Sequence, residues 1–139
     1  MESARSMNIL VVEDDADDTS LLRRQIATAQ IDEHVTTVKS GEDALNYLLK
    51  KNEPPPLAIF LDLRLPGLSG IDLLKAVRQQ PRLKEVPVII MTGSTNPNDV
   101  KECERLGVTA FLPKPIRLST FIKTVAYLFP KATGLKTNL

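Results

Sequence analysis

The chain has 139 residues, 18 basic and 17 acidic, with a formal net charge of +1. That length suits one ordinary domain with its own core, and so even a balance excludes long-range attraction to nucleic acid, a membrane surface or an acidic substrate. The single cysteine, Cys103, has no intrachain disulfide partner, no stretch approaches the length of a membrane span, and residues 1–8 lack a secretion signal's apolar run; a reducing, cytoplasmic setting is expected.

Ile9, Leu10, Val11 and Val12 form a short apolar run suited to a strand covered on both faces, and Glu13, Asp14 and Asp15 follow it. Leu21, Leu22, Ile26 and Ala29 then recur at helical spacing and predict a first helix over 17–29, with acids at its positive end. Residues 35–38 are a weaker second strand. Ser40 and Asp43 have capping-box spacing ahead of a second helix whose apolar stripe is Ala44, Leu45, Leu48 and Leu49. Residues 50–56 end in three prolines and make a loop.

Residues 57–61 predict the third strand, ending on Asp62. Ser69 and Asp72 cap a third helix in which Ile71, Leu74 and Val77 align until Pro81. Residues 86–91 are the fourth strand, stopping at Thr92 and Gly93. Asn96 and Pro97 start a fourth helix that runs to Leu106 and closes at Gly107. Residues 109–112 make the fifth strand; Pro113, Lys114 and Pro115 interrupt regular structure. Leu118, Phe121, Ile122, Val125 and Leu128 define a last helix ending at Pro130, followed by a loose polar tail. Strands alternating with amphipathic helices predict a doubly wound, three-layer α/β domain on a parallel sheet, over residues 8–130, between an N-terminal extension (1–7) and a flexible C-terminal tail (131–139).

Such a sheet gathers the residues at its strands' carboxyl ends into one crevice: Glu13 and Asp14, Asp62, Thr92 and Lys114. Each alone has an ordinary explanation as a helix-dipole acid, a turn residue or a surface lysine; together they do not. Two carboxylates about 5 Å apart repel by roughly 3 kcal/mol in an effective dielectric near 20, so the site needs a cation or a protonated acid. The ligands are oxygens, with no His or Cys nearby, which favours a hard ion and, with few protein ligands, magnesium over calcium. Thr92, Gly93 and Lys114 suit an anion. The set fits phosphoryl transfer, with Asp62 as the nucleophile that becomes an acyl phosphate.

The pattern resembles the receiver domain of two-component response regulators over residues 8–129. Its carriers are the Glu13-Asp14 pair after the first strand, Asp62 with Pro66 four and Gly70 eight residues later, Thr92 thirty later, and Lys114-Pro115 with Lys114 fifty-two later. The resemblance implies a flavodoxin-like sheet of order 2-1-3-4-5 and phosphorylation of Asp62 by a sensor histidine kinase or phosphotransfer protein. It implies magnesium held by Asp14, Asp62, the Arg64 carbonyl and, through water, Glu13, with catalysis by Asp62, Lys114 and Thr92. It implies a switch in which Thr92 moves toward the phosphoryl group and Phe111 turns inward, and a cis Lys114-Pro115 bond. The proline loop is similar to that of small regulators serving bacteriophytochromes, which makes such a kinase a candidate partner.

Phe111 lacks the hydroxyl of the tyrosine often found at its position, and Arg64 puts a guanidinium near the phosphoacceptor, within reach of Glu13 or the phosphoryl group. No DNA-binding module follows residue 129, so the expected output is protein contact through the fourth helix, fifth strand and fifth helix, where Tyr127 and Phe129 extend a patch suited to a partner or a homodimer. The competing reading is a small-molecule phosphatase or phosphotransferase with an aspartate nucleophile. The haloacid dehalogenase type carries a second Asp two residues after the nucleophile, where this chain has Arg64. A flavin or nucleotide binder would need a phosphate loop that the first strand lacks. His34 reads as a solvated edge residue and Cys103 as core packing.

Overall fold

Runs of β-branched and other apolar residues pair in parallel because amphipathic helices carry the chain back between them and cover both faces of the resulting sheet. The computed structural model describes residues 8–15, 17, 20, 22–24, 27, 35–50, 54–93, 96–114 and 116–128. Its strands are β1 (Ile9–Val12), β2 (Val35–Val38), β3 (Ala58–Asp62), β4 (Val88–Thr92) and β5 (Ala110–Pro113). They form one parallel sheet of order β2-β1-β3-β4-β5, as expected. Four helices have described bounds: α1 (Gly41–Leu48), α2 (Gly70–Gln79), α3 (Pro97–Arg105) and α4 (Leu118–Leu128). These are the predicted second to fifth helices. Most of the predicted first helix lies outside the described residues, although Asp17, Ser20, Leu22, Arg23, Arg24 and Ala27 are helical.

Strand alternation divides the core into two layers. On one face Val11, Phe60, Ile89 and Leu112 pack with Leu22, Phe121 and Ile122; the Phe60 and Phe121 rings lie 4.7 Å apart between centroids. On the other, Val12, Leu61 and Ile90 meet Ala44 and Leu48 of α1, Leu73, Leu74 and Val77 of α2, and Cys103 of α3. Cys103 is fully buried, and burial pushes its thiol up to about 11, in keeping with packing rather than reactivity. The helix starts follow the predicted caps: Ser40 Oγ accepts from the Asp43 amide at 3.0 Å, Ser69 Oγ from Asp72 at 3.1 Å, and Asn96 Oδ1 from Asn98 at 2.9 Å.

Several boundaries differ from the sequence pattern. β3 begins one residue later than predicted and takes in Asp62, whose register partner is Met91. β4 begins at Val88 because residues 81–86 form turns, with the Leu83 amide donating to Gln80 O and the Val86 amide to Leu83 O; Val86 is buried without being in a strand. β5 is shifted one residue on, to Ala110–Pro113. Leu49 is not part of the α1 stripe: it caps the helix and is 45% exposed. On α2 the buried face is Gly70, Leu73, Leu74 and Val77, and Ile71 is only half-buried.

At the sheet's amino-terminal end, opposite the strand ends that carry the acids, Arg78 of α2 ties three segments together. Its guanidinium donates to Leu106 O at 2.8 Å, Val86 O at 2.9 Å, Gly107 O at 3.0 Å and Lys84 O at 3.1 Å. A planar fork can satisfy four carbonyls in different directions, which an ammonium cannot. Arg78→Ala is therefore expected to destabilise the fold by about 3 kcal/mol in urea denaturation, and Arg78→Lys to recover less than half of that loss.

Candidate functional site

All five strands run the same way, so their carboxyl ends meet at one edge, and the ladder sets which residues face each other there. Val12 is in register with Leu61, Asp62 with Met91 and Thr92 with Pro113. Two bonds extend the ladder beyond the strands: the Glu13 amide donates to Val38 O at 3.0 Å and the Lys114 amide to Thr92 O at 2.9 Å. Glu13 and Asp62 are 4% and 5% exposed, the only buried charged side chains among the described residues, and Asp14 beside them is exposed.

The Lys114 ammonium joins the two buried acids. Its Nζ lies 2.6 Å from Glu13 Oε1 and 2.7 Å from Asp62 Oδ2. The remaining oxygens are held by main-chain donors, Glu13 Oε2 by the Asp15 amide at 3.1 Å and Asp62 Oδ1 by the Arg64 amide at 3.0 Å. Each carboxylate thus has one charged and one neutral donor. Both remedies for the expected repulsion are present: an ammonium between the acids, and a Glu13 carboxyl that burial pushes up to about 7, against the opposing effect of Lys114. For Lys114, burial disfavours the charge, but its hydrogen bonds to Asp62 and Glu13 outweigh that and hold its pKa above the ordinary lysine value.

Oxygens of Glu13, Asp14 and Asp62 lie within 4.8 Å of one another, and among the described residues no other acids, histidines or cysteines gather in this way. An all-oxygen set with one exposed carboxylate fits a hard divalent ion that keeps several waters. Thr92 ends β4 half-buried, and Gly93 is exposed. A Cβ at Gly93 would meet nothing within 4 Å, so protein packing does not demand glycine there. Gly70 is different: a Cβ would lie 2.6 Å from Leu63 Cα and 2.7 Å from Asp62 O, so α2 can start against β3 only without a side chain. The Arg64 side chain is exposed, and its amide donates to Asp62 Oδ1. Phe111 is half-buried against the α1–α2–α3 side of the core. Pro115, His34 and Phe129 lie outside the described residues, so the expected cis bond, the edge placement of His34 and the Phe129 part of the surface patch do too.

The sequence pattern named the acids, the hydroxyl and the lysine. It missed the amides of Asp15 and Arg64 as carboxylate holders, because a main-chain donor leaves no signature in residue type.

The sequence profile of the response regulator receiver domain matches residues 9–126. The chain belongs to this family. It is 35% identical over 121 residues to response regulator Rcp1 of Synechocystis sp., covering 84% of this chain and 82% of Rcp1. The solved Mn(2+)-bound form of Rcp1 superposes with a TM-score of 0.72 at 32% identity, over 90% of this chain and 93% of that one. The bacteriophytochrome response regulator RtBRR gives a TM-score of 0.75 at 34% identity, over 87% and 76% of the two chains. The phosphorylated cyanobacterial phytochrome response regulator RcpA gives 0.72 at 30% identity, over 93% and 90%. This receiver is a response regulator of two-component signalling, and the small-molecule enzyme reading is not favoured.

A Glu13 carboxyl raised from 4.5 to about 7 makes the folded receiver bind a proton that the unfolded chain has already lost between those values. Its contribution to stability is complete below about pH 4.5 and is lost as pH rises through about 7, by up to about 3 kcal/mol without metal. Denaturation midpoints measured in chelator from pH 5 to 8 should fall with pH, and Glu13→Gln should flatten that slope.

Proposed function

We propose that Asp62 is the phosphoacceptor and that this receiver takes its phosphoryl group from a sensor histidine kinase or phosphotransfer protein. The observation that carries the proposal is the single ammonium of Lys114 held 2.7 Å from Asp62 and 2.6 Å from Glu13 at the sheet edge. An Asp62 oxygen attacks phosphorus, and the new P–O bond forms as the P–N bond of the donor phosphohistidine breaks; with its other ring nitrogen already protonated, the imidazole leaves neutral. Lys114 would neutralise a peripheral oxygen, and Thr92 with the Gly93 amide would donate to another.

Asp14, Asp62, the carbonyl of Arg64 and, through water, Glu13 would hold magnesium; bound there, it supplies positive charge against both the acids and the incoming phosphoryl oxygens. The compact oxygen cluster supports this assignment, as does the manganese in the Rcp1 structure. The protein acts as a switch that catalyses at most its own phosphorylation and dephosphorylation.

By strand alternation Thr92 falls on the same sheet face as Ile90, whose register partner is Phe111. Movement of Thr92 toward a phosphoryl group would free space beside Phe111, and the altered face of α3, β5 and α4, where Tyr127 is 85% exposed, would bind a protein partner or a second copy. The similarity to RtBRR and RcpA makes a bacteriophytochrome-type kinase the favoured donor. The receiver domain is assigned to residues 8–130, and the protein to the cytoplasm, without a nucleic-acid or membrane partner; no helix among the described residues is long and apolar enough to cross a membrane.

Acetyl phosphate should label the protein only with magnesium present; Asp62→Asn should abolish labelling and Lys114→Ala slow it about 100-fold. Labelling that survives Asp62→Asn would place the chemistry elsewhere. Arg64→Ala is expected to change the decay rate of the phosphorylated protein at least twofold, and an identical decay curve would remove the side chain from the mechanism.

A further inference from the structure

Residues 63–69 link the phosphoacceptor strand to α2 and contain Arg64, whose main chain serves the site. They are held at both ends by α-helical amino termini. At the near end, Gly70 lies against the Asp62–Leu63 backbone and its amide donates to Leu63 O at 3.2 Å. At the far end the contact is with α1, from a different part of the chain. Glu42 Oε2 accepts the Leu68 amide at 3.0 Å. Gly67 has a φ of +67°, and a Cβ there would sit 2.7 Å from that same oxygen. A Cβ on Gly41 would lie 2.7 Å from Leu68 O.

Two glycines at one seam, one in the left-handed region, let the main chain of this segment close onto a helix start. The Glu42 carboxylate is what bonds it there. Leu63, Leu65 and Leu68 are half-buried against the core, whereas Pro66 and Gly67 between them are exposed, so the leucines seat the segment while its main chain at 66–68 depends on polar contacts for its alignment.

We propose that Glu42 is a positioning residue for the site: by accepting the Leu68 amide it fixes residues 63–69, and with them the Arg64 main chain, against Asp62. This rests on the reading that Asp62 and the Arg64 carbonyl share a magnesium ion. Glu42 is not among the residues that would hold the ion. Its effect is to keep the Arg64 carbonyl and amide aligned before the ion arrives, so that binding does not have to order the loop.

The test is a magnesium chloride titration of the unphosphorylated protein followed by amide NMR, with amide hydrogen exchange measured at Leu68. Glu42→Ala is expected to raise the dissociation constant at least fivefold and speed Leu68 exchange at least tenfold. Glu42→Gln, whose amide oxygen can still accept, should stay within twofold on both. The exposed position of Glu42 makes the fold tolerant of either change; Gly67→Ala, which strains the positive φ and crowds the carboxylate, should reproduce the loss from the other side of the contact. An Ala variant within twofold of the natural protein, while the natural protein binds magnesium, overturns the role of Glu42 alone. A natural protein that shows no magnesium binding overturns the metal assignment and this proposal with it.

Discussion

The arrangement depends on one ammonium group shared by two buried carboxylates. Glu13 follows β1 and Asp62 ends β3, its immediate neighbour, while Lys114 follows β5 and must reach across β4. Asp62 is two strand spacings away, about 10 Å, and Glu13 is one strand further, which calls for a long stem with a compact charge at its tip. A guanidinium is planar and bulky at its tip; the compact ammonium fits between two acids from different strands and donates to both at once. Taking an ammonium and two acids out of water is costly, and good geometry with no oxygen left unbonded is what makes it tenable. Here the amides of Asp15 and Arg64 complete the set.

The two layers of the core give the crevice its sidedness. By alternation, Glu13, Asp62 and Lys114 continue the series of Val11, Phe60 and Leu112 on one face, while Thr92 continues Ile90 on the other, beside Phe111. The charged triad therefore sits over the Phe121 layer, and the hydroxyl over the layer that α1, α2 and α3 cover. In the proposed switch, a phosphoryl group on Asp62 would draw Thr92 from the opposite layer, which is how a local event at the sheet edge would be felt by α3.

Much of this could be read in the residues themselves. Periodicity located all five strands, and the caps at Ser40, Ser69 and Asn96 marked three helix starts, because hydroxyl and amide side chains that bind main-chain donors are legible one residue at a time. Strand order came only through the family resemblance, since nothing in an apolar run says which neighbour it will choose. The boundary at Val86 was misjudged because a buried aliphatic in a turn has the same composition as one in a strand. The roles of Arg78 and Glu42 were hidden for another reason. Each binds main-chain atoms far away in sequence, and such partners carry no residue identity to search for.

One bond at the edge of the sheet bears on how fast the molecule can respond. The Lys114 amide donates to the Thr92 carbonyl, so the last residues of β4 and β5 are stitched together one rung beyond the strands proper. Neither backbone can drift from the other without breaking that stitch. The proposed rearrangement of the hydroxyl would thereby be mainly a rotation about a single side-chain bond, an event of picoseconds to nanoseconds when unobstructed. In the proposed switch, any lag between chemistry and output would then come from repacking around the Phe111 ring and α3, rather than from the groups that would grip the phosphoryl oxygens.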